Sequence, residues 1–350
     1  MRVLIATDAW HPQVNGVVRT LTSLAQSSKA LGVEVEFLTP EGFLSVPLPS
    51  YPGLRLALPN RYTIARRIDD AKPDAIHIAT EGPIGHAVRA YCRRRGWPFT
   101  TSYTTRFPEY ISARWPIPEG LIYAALRRFH GSAAATMVAT PSLEAELRQR
   151  GFANLVRWSR GVDTDLFRPD RAIHLDFPRP IFACVGRVAV EKNLDAFLSL
   201  DLPGTKVVIG TGPQEDALKQ RYPDAKFLGL IQNGALAGHL AAADVFVFPS
   251  LTDTFGVVQL EALASGLPIA AFPVTGPKDV LDGRPVGVLD EDLRKACLGA
   301  LTISREACRE HAMTYTWDRS ARQFIGHLRS LPKDGYRETA NLEAMAAERG

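Results

Sequence analysis

The sequence predicts an α/β protein built as two Rossmann-like lobes, each a parallel sheet covered by helices on both faces, with a cleft between them. Three observations carry this. Short apolar segments alternate with segments of helical period, the mark of βαβ units. The series halts at a polar stretch, RPDRAIHLDFPRP (168–180), and then starts again. The chain of 350 residues supplies about two domains, each long enough to bury a core.

In chain order, VLIAT (3–7), VEVEFLT (33–39), AIHIA (75–79), FTTSY (99–103) and MVAT (137–140) read as strands of the first lobe. Helices are expected around 15–31, 62–71, 83–95, 118–130 and 142–150. Past the polar stretch the strands are IFACV (181–185), KVVI (206–209), AKFLG (225–229), VFVF (245–248), PIAAF (268–272) and VGVL (286–289). Helices near 192–200, 213–221, 233–242 and 256–265 alternate with them. The lobes are expected over 1–157 and 158–315, with a last helix at about 316–330 packing back on the first lobe. Residues 331–350 read as a polar tail or strap. Ligands of such sheets bind beyond the carboxyl ends of the strands, so the loops there should carry the chemistry.

Composition excludes several classes. With 46% hydrophobic and 22% charged residues the chain is neither collagen-like, coiled-coil nor disordered. No apolar run reaches the ~18 residues of a membrane-spanning helix. MRVLIATDAW enters a strand without the features of a secretory signal, so a cytoplasmic chain is expected. The four cysteines, Cys92, Cys184, Cys297 and Cys308, form no C-x-x-C pair and read as reduced filler. Charge divides unevenly: residues 1–157 hold 19 Lys/Arg against 12 Asp/Glu, and residues 158–350 hold 22 against 25. The basic face suits an anionic lipid surface, nucleic acid or an anionic substrate, and equally a set of solvated arginines.

The motifs lie mainly in the second half. VGRVAVEKNLDAFL (185–198) puts Arg187 just after a strand and Lys192 at the start of a helix, where both could meet one diphosphate. Gly210-Thr211-Gly212-Pro213 follows the next strand, but without the third glycine of a dinucleotide fingerprint a tight βα turn explains it equally well. In VFVFPSLTDTFGVVQLEALASG (245–266), Asp253 precedes a helix that it could cap, and Glu261 sits in that helix's second turn. Two carboxylates spaced this way can each grip a pair of hydroxyls, or can be a cap and a solvated side chain.

Together these motifs resemble the retaining nucleotide-sugar glycosyltransferases of family 4, which have the GT-B fold. Asp253-x7-Glu261 is similar to the family's Glu-x7-Glu motif, with Asp first as in a TDTFG subgroup that uses sugar donors to build lipid or mannosyl products. Arg187 and Lys192 match its diphosphate-binding pair. Asn15-Gly16 matches its N-terminal loop, where Gly16 lets backbone amides approach the donor phosphate. SRGVDTDLFRP (159–169) resembles the segment that leads into the second lobe, so Asp163-Thr164-Asp165 inside it reads as a turn. No metal is expected, and no cofactor, the nucleotide-sugar being the co-substrate. FTTSYTTRFPEY (99–110) departs from the family by holding Thr104 where a histidine touches the donor sugar near C6.

The resemblance implies a front-face mechanism in which Arg187 and Lys192 neutralise the departing diphosphate. Glu261 would hold the ribose, Asp253 the sugar hydroxyls, and amides of Phe255, Gly256 and Val257 would assist. For the acceptor, residues 111–128 mix Arg114, Trp115, Ile117, Leu121, Tyr123 and Leu126 with Arg127 and Arg128, which fits a segment lying in a membrane interface. The expectation is a hexose or hexuronic acid moved from a UDP-sugar to a membrane lipid such as diacylglycerol, by an enzyme peripheral to the inner face of the membrane and without a nucleic-acid partner. The alternatives are a GDP-mannose-dependent mannosyltransferase with a soluble or phosphoinositide acceptor, and a catalytically impaired nucleotide-sugar-binding protein.

Overall fold

The computed structural model describes residues 1–13, 15–48, 51–112 and 115–332, the side chains of 48 and 51–54 aside. Arg114 and the stretch 333–350 of the expected tail lie outside the described residues. The chain divides into two compact units. One comprises Met1–Ala139, Glu144–Trp158 and the chain from Ala321 onward; the other comprises Thr140–Leu143 and Ser159–Ser320.

The N-terminal unit holds six parallel strands: β1 (Arg2–Ala6), β2 (Glu34–Leu38), β5 (Ala75–Ile78), β6 (Thr100–Tyr103), β7 (Ala135–Val138) and β8 (Leu155–Arg157), in the order β2-β1-β5-β6-β7-β8. Strands β1, β5, β6 and β7 are buried along almost their whole length, as strands covered on both faces must be. Alternation sorts their side chains into two cores. Leu4, Ala6, Ile76 and Ile78 pack against Ile64 and Ile68 of α2 (Arg61–Ala71) and Ile84 and Val88 of α3 (Pro83–Arg95). Val3 and Ile5 point the other way, onto Leu21 and Leu24 of α1 (Gly16–Ala30) and Ala321, Phe324 and Leu328 in and after α14 (Trp317–His327). Truncating the fully buried Phe324 to Ala would cost about 3–5 kcal/mol.

The C-terminal unit repeats the plan with β9 (Ile181–Val185), β10 (Thr205–Ile209), β11 (Lys226–Phe227), β12 (Val245–Phe248), β13 (Ile269–Ala271) and β14 (Gly287–Leu289), in the order β11-β10-β9-β12-β13-β14. Both sheets are wholly parallel, so the doubly wound class read from the sequence is what the chain adopts. The four cysteines are free and buried, and burial pushes each thiol up to about 12.

Two elements add to those expected. Strands β3 (Ser45–Leu48) and β4 (Tyr51–Ala57) pair antiparallel, and their strand signal is masked in the sequence by Pro47, Pro49 and Pro52. The helix expected at 118–130 is present, and a second, shorter helix precedes it. Helix α4 (Phe107–Ser112) ends before Pro116 and Pro118, and α5 (Glu119–His130) begins after them. Tyr123 and Leu126 of α5 are buried in the unit, and only Trp115, Ile117 and Leu121 of the apolar set are exposed.

Candidate active site

In a doubly wound sheet a crevice opens where consecutive crossovers leave in opposite directions, which here is between β9 and β12. The loop after β9 is built by close backbone packing. Gly186 N donates to Ile209 O at 2.9 Å, Val188 N to Thr211 O at 3.0 Å, and Gln214 N to Val188 O at 3.1 Å. A Cβ on Gly210 would lie 1.9 Å from Gly186 O, and one on Gly212 2.2 Å from Val188 O. Gly212, a candidate donor contact, is thus placed against Val188, and the glycines are accounted for by the approach of two loops.

That packing sets the base of Arg187. Together with Lys192, which ends a 3-10 turn at Val190–Lys192, it lines a small cavity with Gly186, Phe248, Pro249 and Ser250. Two side chains fasten the turn to the loop after β12: Asn193 Nδ2 donates to Pro249 O at 3.1 Å and Ser250 Oγ to Glu191 O at 3.1 Å. Asn193 adopts a left-handed conformation, φ 52°, which asparagine tolerates better than most residues. Lys192 Nζ donates to Asp253 Oδ2 at 2.6 Å. The sequence thus brings Arg187, Lys192 and Asp253 to one crevice, while Asn193 and Ser250, which hold them there, carried no motif to find them by.

Asp253 does not cap the following helix, α10 (Val257–Ala264). The cap position is Gly256, at φ 75°, with no side-chain hydrogen bond, and Asp253 serves the lysine instead. Glu261 is not a solvated helix residue either: it is 3% exposed, and a carboxylate so buried must be held by polar neighbours. The loop carrying Phe255, Gly256 and Val257 is gripped from beneath by Gln259, another residue without a sequence signal. Fully buried, Gln259 donates through Nε2 to Phe255 O at 2.7 Å, and a Cβ on Gly256 would lie 2.7 Å from that same nitrogen.

The carboxyl edge of the N-terminal unit is organised differently. Asn15 caps α1, accepting from Val17 N and Val18 N at 3.0 Å each, and nothing lies within 4 Å of where a Cβ on Gly16 would be. Asp8, just past β1, accepts from Thr80 Oγ1 at 2.9 Å, Ile84 N at 2.8 Å and Gly85 N at 3.2 Å. A Cβ on Gly82 would lie 2.4 Å from the Asp8 carboxyl. Burial raises the Asp8 pKa, opposed by these hydrogen bonds.

Thr104 follows β6 at the same edge and is half-buried. Its neighbours form a lock. Arg106 pairs with Glu109 at 2.9 Å and, at 2.7 Å, with Glu146 of α6 (Pro141–Gln149), while Tyr123 Oη donates to Glu109 at 2.7 Å. Asp163 accepts from the amides of Asp165 and Leu166, as a turn would require. Of the acceptor candidates, Trp115, Ile117, Arg127 and Arg128 are exposed, and Arg127 donates to Arg150 O at 3.0 Å.

Comparison with known proteins places these residues in context. Residues 14–166 match the sequence profile described as Glycosyltransferase Family 4, and residues 179–301 that described as Glycosyl transferases group 1. The chain is 28% identical to a GDP-mannose-dependent alpha-mannosyltransferase of Mycobacterium tuberculosis, over 95% of this chain and 97% of that one. It is 24% identical to the alpha-monoglucosyldiacylglycerol synthase of Acholeplasma laidlawii, over 77% of this chain and 79% of the relative. Among solved structures, sucrose-phosphate synthase from Thermosynechococcus elongatus superimposes with a TM-score of 0.75 at 20% identity, over 93% of this chain and 97% of that one.

Proposed function

Since the chain belongs to glycosyltransferase family 4 and has the GT-B fold, we propose that it moves a hexose or hexuronic acid from a UDP-sugar to a membrane lipid such as diacylglycerol, with retention. One observation carries the donor half of this reading: Arg187 and Lys192 line a single cavity at the switch point of the C-terminal sheet, with Asp253 on the lysine. Two cations in a partly dry crevice suit a diphosphate, whose charge grows as the sugar leaves. The pair Lys192–Asp253 implies exchange: the donor's diphosphate takes the ammonium as the sugar hydroxyls take the carboxylate. Glu261 would hold the ribose. The leaving phosphate oxygen would accept the acceptor's proton on the same face, so no protein base is needed, and the two cations meet the leaving charge without a metal.

The lipid half rests on the basic excess of residues 1–157, on exposed Trp115, Ile117 and Leu121 beside Arg127 and Arg128, and on the likeness to a diacylglycerol glycolipid synthase. No helix among the described residues is long and apolar enough to cross a membrane, so attachment would be peripheral. A second reading, GDP-mannose as donor to a soluble or phosphoinositide acceptor, is favoured by the likeness to the mannosyltransferase along nearly the whole chain.

A panel of labelled UDP- and GDP-sugars, offered with diacylglycerol vesicles or soluble acceptors, separates the readings. UDP-dependent glycolipid carrying the donor's anomeric configuration, formed undiminished in EDTA, supports the first. Mannosyl product from GDP-mannose alone replaces it with the second, and binding without product from any donor overturns both. Thr104→His should change the preference among donors differing at C6 more than it changes affinity for the free nucleotide.

A further inference from the structure

The loop between β12 and α10 carries Asp253, yet residues 249–256 form neither helix nor strand. Its first residues are fastened by Asn193 at Pro249 O and by Ser250 at Glu191 O, and its end by Gln259 at Phe255 O. Between those points Asp253 holds on to the long, flexible arm of Lys192. The helix that follows adds no cap, because its cap position is Gly256. A further anchor is the side chain of Phe255, which is only 5% exposed.

The Phe255 ring meets Tyr315 edge to face, with centroids 6.4 Å apart and planes at 68°. Aromatic pairs favour this arrangement, in which the positive edge of one ring points at the negative face of the other. Tyr315 lies sixty residues along the chain, between α13 (Arg305–Ala312) and α14, and its own backbone is fixed. Tyr315 O accepts from Val162 N at 2.9 Å, Tyr315 N donates to Ala312 O at 2.9 Å, and Thr316 bridges to Val162. A Cβ on Gly161 would lie 2.6 Å from Trp317 N, so residues 315–317 are pressed against 161–162. Behind Tyr315 stands His311, its ring 5.4 Å away at 73°, and His311 Nε2 donates to Val280 O of α11 (Pro277–Leu281) at 2.7 Å. Three rings thus run in a column from α11 to the loop. The residue ahead of α11 bears on the same loop: a Cβ on Gly276 would lie 3.2 Å from Phe255 O and 3.4 Å from Asp253 O.

We propose that Tyr315, backed by His311, is a positioning residue for the donor: it holds the Phe255 ring, and through Phe255 it fixes where Asp253 and the amides that follow it stand. Its part is played through the loop and not by contact with the donor. Burial, and then the charges of Asp282 and Asp279, push the Tyr315 pKa up, so it gives the loop a neutral ring rather than a charge. A ring pair suits this task because it restricts angle as well as distance, which a contact between aliphatic side chains does not. The ligand is the nucleotide-sugar of the proposed function, on which the inference rests, so its test has one arm that needs no donor.

In that arm the full chain is digested briefly with chymotrypsin and the cuts are read by mass spectrometry. Cleavage after Phe255 requires its ring to leave the site, so Tyr315→Leu should speed that cut at least about tenfold while cuts in the strands of the unit stay slow. Tyr315→Phe keeps the ring and should match the parent. Tyr315→Met, with bulk but no ring face, should move in the same direction as the leucine variant and replaces it if that one folds poorly. In the second arm, with the best donor of a UDP- and GDP-sugar panel, Tyr315→Leu should lower kcat/KM at least about tenfold, since a small displacement of a gripping group is costly. Affinity for uridine or guanosine should hold, and Tyr315→Phe should restore turnover. In a Phe255→Leu background, Tyr315→Leu should cost less than about twofold more, because its effect runs through that ring. Cleavage and kcat/KM both within about twofold of the parent, or losses that add in full to those of Phe255→Leu, would overturn the proposal. Faster cuts throughout the unit would overturn it too, marking Tyr315 as a general stabiliser. A parent without turnover from any donor would remove the proposed function and leave the cleavage arm to decide this one.

Discussion

The two sheets of this protein end in opposite ways at equivalent places. Each has one switch point, between β1 and β5 in the N-terminal unit and between β9 and β12 in the C-terminal unit. In the first, Asp8 closes the crevice by accepting from Thr80 and from two amides at the start of α3. In the second, the loop after β9 presents Arg187 and Lys192 to a cavity that Pro249 and Ser250, after β12, complete. One edge spends its polar groups on itself; the other turns two cations toward a cavity, one of them held by Asp253. The difference teaches that a shared topology offers a site without filling it, and that side-chain chemistry at the strand ends decides which of two like crevices suits an anionic ligand.

Breaking the cationic edge should have the largest effect. Arg187→Ala or Lys192→Ala should each cost about 2–4 kcal/mol of transition-state stabilisation, read as kcat/KM for the best donor. The double variant should lose more than either, and a turnover within about twofold of the parent would place the chemistry elsewhere.

Opening the closed edge should cost stability and leave nucleotide binding alone. Asp8→Ala strands two buried amides and a hydroxyl, so unfolding by denaturant should show a loss of about 2–4 kcal/mol. Unchanged stability would remove Asp8 from the closure.

Gln259→Met sharpens the comparison by removing the amide that holds Phe255 O while keeping the side chain's bulk. Affinity for a nucleoside diphosphate should fall about tenfold, while affinity for the nucleoside alone should hold, because only the diphosphate would reach that loop. Equal losses for both would mean a general collapse of the unit.

The smallest effect concerns acid. Burial raises the Glu146 pKa, but hydrogen bonds and charge from Arg106 outweigh it and hold the carboxyl below its usual range. The stability this gives is present above the ordinary Glu value of about 4.3 and is lost as pH falls through the depressed one. Glu146→Gln should lower melting temperature near neutrality and flatten its decline below about pH 5.

Most of the fold was legible because buried parallel strands read as unbroken apolar runs: IFACV and VFVF announce β9 and β12 without help. The β3–β4 pair was hidden by its prolines, while α12 (Leu293–Ala300) and α13 (Arg305–Ala312) went unread although each is as long as α10. Of the candidate site, the cations were legible because charge beside a βα junction is unusual. Their supports were not. Asn193, Ser250 and Gln259 act through hydrogen bonds to backbone carbonyls distant in sequence or hidden within a loop, which leave no spacing to read. Asp253 misled in one respect, since an acid ahead of a helix suggests a cap and here meets a lysine.

The central claim, that the C-terminal switch point receives the nucleotide while the N-terminal one is closed, is tested most directly by calorimetric titration of the full chain with UDP and GDP. One nucleotide should bind per chain, with Asp8→Asn unchanged and Arg187→Ala with Lys192→Ala weakened at least about 100-fold. Full affinity in the double variant, or loss of binding in Asp8→Asn alone, would contradict the account.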